Sequence, residues 1–356
     1  RRCRVVTGFG SWAASVVYTR LVGQRALTPP GRLRLVQQGR IALVVTLFAG
    51  EDVQANVDDL FEAAPNAAVY YATTIGGHGE ISVSVNRADV GALAALTGVQ
   101  FIEDAPELTL RNGTTRWIAQ SNSINNTPLY DVGIRGENQI VGVMDGRPNQ
   151  NHCSLDGGKI LFYNTTPGSD THGTHVSCTV AGDDTTNTNG RGIAYEAGLV
   201  FDDVPSFSDA AMYNVLQQHH NQGARVHTNS WGDDGTTNYN SLCRGVDRFS
   251  YDFEESLVLF AVTNTGTLKN PDNAKNLLAV GATQDTPNQG SHCSGGVGPT
   301  SDGRRKPEIY LPGCGTQSAA ASTSCGYTGL TGTSMASPAV AGACALVRQY
   351  YVDGFY

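Results

Sequence analysis

The chain has 356 residues, 40% hydrophobic and 16% charged, which is enough for two domains with packed cores. No apolar run approaches the roughly 18 residues that suggest a membrane helix, and 42 Gly with 14 Pro in no strict period exclude a collagen-like chain. A net charge of −8 argues against a nucleic-acid binder acting through bulk positive charge.

Residues 1–40 carry eight Arg and no acid, and read as a basic N-terminal extension. Because the chain opens on Arg1 rather than Met, it reads as a piece of a longer precursor whose signal peptide is not visible. Residues 41–111 reverse the balance, with two basic and ten acidic groups. Here IALVVTLF (41–48) predicts a strand and EDVQANVDDLFEAA (51–64) an amphipathic helix with acids in its first turn. AAVYYATT (67–74) and the alternating EISVSVN (80–86) predict two more strands. RADVGALAALTG (87–98) predicts a short helix ending at Gly98, and VQFIED (99–104) a last strand. The order β-α-β-β-α-β predicts a small ferredoxin-like α+β unit, a scaffold that names no function by itself.

From 112 to 356 the pattern changes. QIVGVMD (139–145), GLVFDDV (198–204), ARVHTNS (224–230), SLVLFAVTN (256–264) and NLLAVGAT (276–283) are nearly continuous apolar runs separated by helical stretches. Strands apolar on both faces predict an α/β domain with a buried, doubly wound parallel sheet. Asp145, Asn229 and Asn264 fall at the C-terminal ends of these runs, where open α/β sheets bind their ligands.

The eight cysteines form no C-x-x-C and no zinc spacing. Cys314 and Cys325 flank a Gly/Ser/Ala-rich loop and are read as a candidate disulfide, with Cys243–Cys293 a weaker pairing. Cys178 and Cys344 read as small buried residues. His219 and His220 lie in the polar stretch NVLQQHHNQG and read as a solvated helix face. His172 and His175 could share a helical face, but no H-E-x-x-H is present, so a metal reading is disfavoured.

Four motifs carry chemistry. VGVMDGRPN places Asp145 at a strand end, and DTHGTHVSCTVAG places His172 at a helix start. FAVTNTG places Asn264 after a strand, and GTSMASPAVAGACALVRQY places Ser334 at the start of a long helix, with Pro338 read into its first turn. A serine hydroxyl is a weak nucleophile and needs a neighbouring base. Histidine supplies one near neutral pH, and a carboxylate holds its tautomer and stabilises its cation. An amide donor then meets the oxyanion of the tetrahedral intermediate. Ser334 lies in no G-x-S-x-G, which disfavours an α/β-hydrolase elbow.

In these motifs, and in the order Asp, His, Ser, the sequence resembles the subtilisin-like serine proteases, or subtilases, over about 112–350. NSWG (229–232), NAKNLLAVGAT (273–283) and GPTSDGRRKPEIYLPG (298–313) add to the resemblance. It implies Asp145 as orienter, His172 as general base, Ser334 as nucleophile and the Asn264 side chain as oxyanion donor. It further implies that Ser230, Trp231 and Gly232 pair with the substrate backbone and that Val262 and Thr263 wall the pocket before the scissile bond. The stretch 99–121 looks like a propeptide junction of the long-chain alkaline-protease branch, which makes 41–111 an intramolecular inhibitor and the enzyme a secreted, self-processing zymogen. Protein or peptide substrates are implied, with no nucleic acid, no membrane and no cofactor for the chemistry. Members of the family often bind structural calcium, for which the Asp pairs 183–184, 202–203 and 233–234 offer carboxylates, but these match no contiguous calcium loop and read as exposed loop carboxylates. One departure stands out. The family usually follows its Asp with Thr or Ser and then Gly, whereas Gly146 and Arg147 stand here, so a hydroxyl that supports the carboxylate is expected to be missing.

Overall fold

The computed structural model describes residues 39–104, 111–205 and 209–355. Nearly all of the expected basic extension, and residues 105–110 within the expected propeptide junction, lie outside the described residues. Internal contacts divide the chain after Leu108 into two units.

The first unit runs β1 (Arg40–Leu47), α1 (Val53–Ala63), β2 (Ala68–Ile75), β3 (His78–Asn86), α2 (Val90–Ala95), β4 (Val99–Asp104). Its sheet has the order β2-β3-β1-β4, antiparallel throughout, as a split β-α-β arrangement requires. Alternation in β3 puts Ile81, Val83 and Val85 on one buried face with Leu43, Val45 and Leu47 of β1. Val57 and Leu60 of α1 and Val90 and Leu93 of α2 cover that face. The acids expected in the first turn of α1 sit one step earlier. Asp52 is the N-cap, and its carboxylate accepts the Ala55 amide at 2.8 Å.

The second unit contains α3 (Arg111–Gln120), α4 (Pro128–Asp131), β5 (Ile140–Asp145), β6 (Ile160–Tyr163), α5 (Thr171–Ala181), β7 (Gly198–Asp203) and α6 (Asp209–Asn221). It continues with β8 (Val226–Asn229), α7 (Ser241–Asp252), β9 (Leu257–Ala261), β10 (Leu278–Thr283), β11 (His292–Ser294), β12 (Ile309–Pro312), β13 (Thr316–Ala319), β14 (Tyr327–Leu330) and α8 (Thr333–Val352). The main sheet has the order β11-β10-β9-β8-β5-β7-β6, with β12 also on β10. Every pairing is parallel except β10 with β11. Successive residues of β5 serve opposite faces. Val141 and Val143 pack with Val176 and Val180 of α5 and Val340 of α8, while Met144 packs with Met212 and Leu216 of α6 and Phe249 of α7. The sheet is thus wound on both faces, which is why its strands read as unbroken apolar runs.

Three expectations are corrected. The Gly/Ser/Ala-rich loop holds the β13–β14 hairpin, and its turn carries Cys325 to the segment 152–154 rather than to Cys314. The disulfide joins Cys293 to Cys314, with Cα atoms 6.3 Å apart. Cys243 is a free, buried thiol that donates to Asn273 Oδ1 at 2.9 Å. The pair His219–His220 is not a solvated face. His219 is fully buried against the sheet, and His220 Nδ1 meets Ser256 Oγ at 2.9 Å. Among the described residues, no helix is long and apolar enough to cross a membrane.

Candidate active site

The parallel strands deliver the chemistry to one rim. Asp145 is the last residue of β5, and Ser230 follows the last residue of β8. Met144 of β5 pairs with Asn229 of β8, so Asp145 and Ser230 leave adjacent strands side by side, about 4.8 Å apart by sheet spacing. His172 Nδ1 lies 2.7 Å from Asp145 Oδ1. The hydroxyl of Ser334 donates to the Ser230 carbonyl at 3.2 Å, and the Ser230 hydroxyl donates to the Ser334 carbonyl at 3.0 Å. Two bonded pairs, His172–Asp145 and Ser334–Ser230, therefore meet at the C-terminal edge of β5 and β8. No hydrogen bond joins His172 directly to Ser334 among the described residues.

Helix starts set two of these side chains. Asp170 caps α5, its carboxylate accepting the Gly173 amide at 2.8 Å, and this fixes His172 as the second helical residue. Ser334 is likewise the second residue of α8, in the turn whose amides have no intrahelical acceptor. Pro338 is the sixth helical residue, not a first-turn residue. It lacks the N–H that would bond the Ser334 carbonyl four residues back. The Ser230 hydroxyl fills that vacancy, which explains how the proline is tolerated.

Asn264 lies just past β9 and is solvent-exposed. Its Oδ1 accepts from Ser294 Oγ at 2.8 Å, the Thr333 amide at 3.0 Å and Thr333 Oγ1 at 3.2 Å. These contacts hold the amide by its oxygen side. Gly332, at φ 156°, starts α8 beside it, and a Cβ there would stand 3.3 Å from Nδ2.

Asp145 is 3% exposed. Its Oδ1 holds His172 at 2.7 Å and the Gly146 amide at 2.8 Å, while its Oδ2 is buried with no hydrogen-bond partner among the described residues. The hydroxyl expected to be missing is thus missing in fact, and a Cβ at position 146 would lie 2.2 Å from Asp170 Oδ1. Arg147 instead turns away to pair with Asp203 at 2.6 Å. Burial pushes the Asp145 carboxyl up, and the imidazole and the Gly146 amide pull it partly back. Burial works against a charged His172, but the bond to Asp145, the Asp145 charge and the Asp170 charge outweigh it and raise its pKa. With Nδ1–H given to the carboxylate, Nε2 keeps its lone pair for a proton.

The residues expected to bind substrate divide in two. Ser230 is buried in the reciprocal contact, and Trp231 packs edge-on against Phe260 at 5.3 Å. Gly232 runs close to the Asn270 carbonyl, where a Cβ would come within 2.9 Å, and Asp233 then pairs with Asn270. Val262 is 1% exposed and packs in the core, contributing its carbonyl to the Thr333 hydroxyl. Thr263 is also buried, its amide donating to Asp272 Oδ2 at 3.1 Å.

Four of the other candidates, His175, Asp183, Asp184 and Asp233, have protein partners. His175 is buried, and its Nε2 meets the Thr316 carbonyl at 2.9 Å. Asp183 pairs with Arg191 at 2.7 Å, Asp184 accepts from Thr186 and Tyr327, and Asp233 accepts the Gly235 amide at 2.9 Å. Among the described residues, no three His, Cys, Asp or Glu side chains gather into a metal-binding group. Sequence reasoning missed Asp170, Thr333 and Ser294. An acid two residues before a helical His is an N-cap signal that could have found the first. Ser294, thirty residues from Asn264, had no local signal.

The sequence model of the subtilase family matches residues 136–354. The chain is 29% identical over 279 residues to an alkaline protease of Alkalihalobacillus alcalophilus, covering 76% of this chain and 69% of that protein. It is 31% identical over 236 residues to subtilisin DY of Bacillus licheniformis, covering 62% and 80%. It is also 24% identical over 362 residues to the serine protease/ABC transporter B family protein tagA of Dictyostelium discoideum, of whose length it spans only 21%. Among solved structures it resembles the prenylagaramide maturation protease PagA, with TM-score 0.53 and 26% identity over 63% of this chain and 80% of that one.

Proposed function

The chain belongs to the subtilase family, and we propose that it is a serine endopeptidase acting through an acyl-enzyme. In this reading Ser334 attacks the peptide carbonyl and passes its proton to His172, which later protonates the leaving amine. Asp145 holds the imidazole and stabilises its cation. The Asn264 amide and the Ser334 backbone N–H receive the oxyanion. The observation that carries the reading is the 2.7 Å Asp145–His172 bond at the strand edge whose neighbour, Ser230, holds Ser334. Substrate binding turns the Ser334 hydroxyl from the Ser230 carbonyl to His172 Nε2, since catalytic bonds often tighten only in the complex.

The extended segment Ser230–Gly232 pairs with the substrate backbone as an added strand. Apolar or aromatic side chains are favoured before the scissile bond, where Thr263 replaces the glycine common in the family. Residues 41–111 serve as an intramolecular inhibitor removed by cleavage within Glu107–Asn112, and the mature enzyme acts on protein substrates outside the cell. Structural calcium is part of the proposal and is tested by the loss of thermal stability on adding a chelator.

A second reading, a peptide-binding member without catalysis, draws on the orphaned Oδ2 of Asp145. A fluorophosphonate probe separates the two. The endopeptidase reading requires covalent labelling that Ser334→Ala abolishes, together with casein hydrolysis. Failure of the folded chain to label at any pH between 6 and 10, once it has been cleaved after residues 41–111, overturns it. N-terminal sequencing of the processed product locates the cleavage, and a new terminus well inside 41–100 is incompatible with an inhibitor unit.

A further inference from the structure

The geometry points to a second, redox-controlled disulfide between Cys153 and Cys325, which ties the segment after Asp145 to the turn of the β13–β14 hairpin.

Both cysteines are free thiols, 172 positions apart in the sequence. Three consecutive residues of one segment face the hairpin turn. His152 Nε2 meets the Gly326 carbonyl at 2.9 Å, the Cys153 amide donates to the Ser324 carbonyl at 2.7 Å, and Ser154 Oγ lies 3.5 Å from the Tyr327 hydroxyl. Cys153 is thus held opposite residues 324 and 325. Its thiol lies 3.6 Å from Asp184 Oδ2, and the Cys325 thiol is near enough to act on its titration. Burial, with Cys325 and Asp184 beside it, pushes the Cys153 thiol up to about 12. Cys325 is exposed.

That asymmetry orders the chemistry. With a small-molecule disulfide such as oxidised glutathione as oxidant, the accessible Cys325 thiolate attacks one sulfur and releases a glutathione thiolate. A mixed disulfide forms on Cys325. The Cys153 sulfur then attacks Cys325 Sγ and expels the second glutathione, while its proton passes to the thiolate released first. Two protein thiols are oxidised and one glutathione disulfide is reduced to two thiols, so atoms and electrons balance.

The bridge bears on the proposed catalytic rim. The Ala321 carbonyl of the same turn accepts Asn149 Nδ2 at 3.0 Å and Ser169 Oγ at 3.1 Å. These residues follow Asp145 by four positions and precede His172 by three. Oxidation therefore clamps the turn that supports both loops.

The full chain carrying Ser334→Ala is incubated with oxidised or reduced glutathione, denatured, alkylated, digested and mapped by mass spectrometry. The expected result under oxidation is one new peptide pair linked through 153 and 325, beside the Cys293–Cys314 pair, with the buried Cys178 and Cys243 still alkylatable after denaturation. The melting temperature is expected to rise by roughly 5 °C. Cys153→Ser is expected to stop at the glutathione adduct on Cys325, and Cys325→Ser to leave Cys153 alkylatable. Full alkylation of both thiols after oxidation, or a link from either to another cysteine, overturns the assignment. Thiol mapping gives the same answer whether or not the chain cleaves peptides, so the two readings fail separately.

Discussion

The carboxylate of Asp170 stands where any side chain on Gly146 would have to go. A Cβ at 146 would meet Asp170 Oδ1 at 2.2 Å, and a Cβ at Gly173 would meet the Gly146 carbonyl at 1.6 Å. The strand end bearing Asp145 and the helix start bearing His172 therefore touch through two glycines and one capping acid. A hydroxyl-bearing side chain beside Asp145 would need the Asp170 carboxylate to move.

Restoring the hydroxyl alone is expected to be harmful. Gly146→Thr overpacks the contact and is expected to cost about 1–3 kcal/mol of stability. Asp170→Ser keeps a capping oxygen, so its own cost is expected to be under about 1 kcal/mol. Combined, the two changes are expected to be less damaging than their sum, by more than about 0.5 kcal/mol in a double-mutant cycle. Denaturant unfolding of the four proteins reads the coupling, and strict additivity rules out the steric account.

Ser230, Ser334 and Pro338 form a second dependence. Ser230→Ala strips the donor from the Ser334 carbonyl, and the unsatisfied group is expected to cost about 1–3 kcal/mol. Pro338→Ala restores a helical N–H to the same carbonyl. The double variant is expected to recover part of the stability lost in Ser230→Ala. Equal losses in both backgrounds would show that the hydroxyl is not standing in for the helix bond.

Oxyanion stabilisation is read at Asn264. Asn264→Ala is expected to lower kcat by about 10²–10³ with little change in KM, since the donor acts on charge that develops in the transition state. Ser294→Ala removes only one of three contacts orienting the amide and is expected to give a smaller loss of kcat. A large rise in KM for Asn264→Ala would move this side chain from transition-state to ground-state binding.

Buried imidazoles set the acid limit of the fold. His175 and His219 are each held down to about 4 by burial, and burial holds His227 well below its ordinary value. The rings of His219 and His227 lie nearly parallel, 6.0 Å apart, and none of their four nitrogens has a hydrogen-bond partner among the described residues. For His175 and His219, the unfolded chain takes up the proton near 6.5 and the folded one does not until about 4. Stability is therefore full above 6.5 and falls as pH drops from there to 4, by on the order of 3 kcal/mol for each such group. Urea midpoints measured across pH 7.5 to 4 check this, and a flat profile contradicts it.

The chain order of strands, both sheet types and the four polar side chains at strand or helix ends were legible because local patterns encode them. Apolar runs mark strands buried on two faces, and an acid or hydroxyl at an element boundary stands out against them. What the sequence hid was decided by neighbours distant along the chain. The polar string around His219 reads as a solvated face until Gly142 of β5 is seen to leave room for two imidazoles. Cys314 sits closer in sequence to Cys325 than to Cys293, yet the β13–β14 hairpin sends Cys325 elsewhere. Pro338 reads as a first-turn residue because the start of α8 is set by Gly332 and by the bonds from Thr333 to Asn264, not by a capping side chain.

Asp170 is also expected to tune the proposed base. Its charge adds to that of Asp145 in raising the pKa of His172. A general base works neutral, so kcat/KM is expected to be high above that pKa and to fall as pH drops through it, with a midpoint above 6.5. Asp170→Asn keeps an N-capping oxygen and the bulk beside Gly146 but removes the charge. It is therefore expected to move the acid limb of the profile to lower pH while leaving the plateau rate within a few-fold of the parent. A merely structural role for Asp170 would lower the plateau and leave the midpoint where it was.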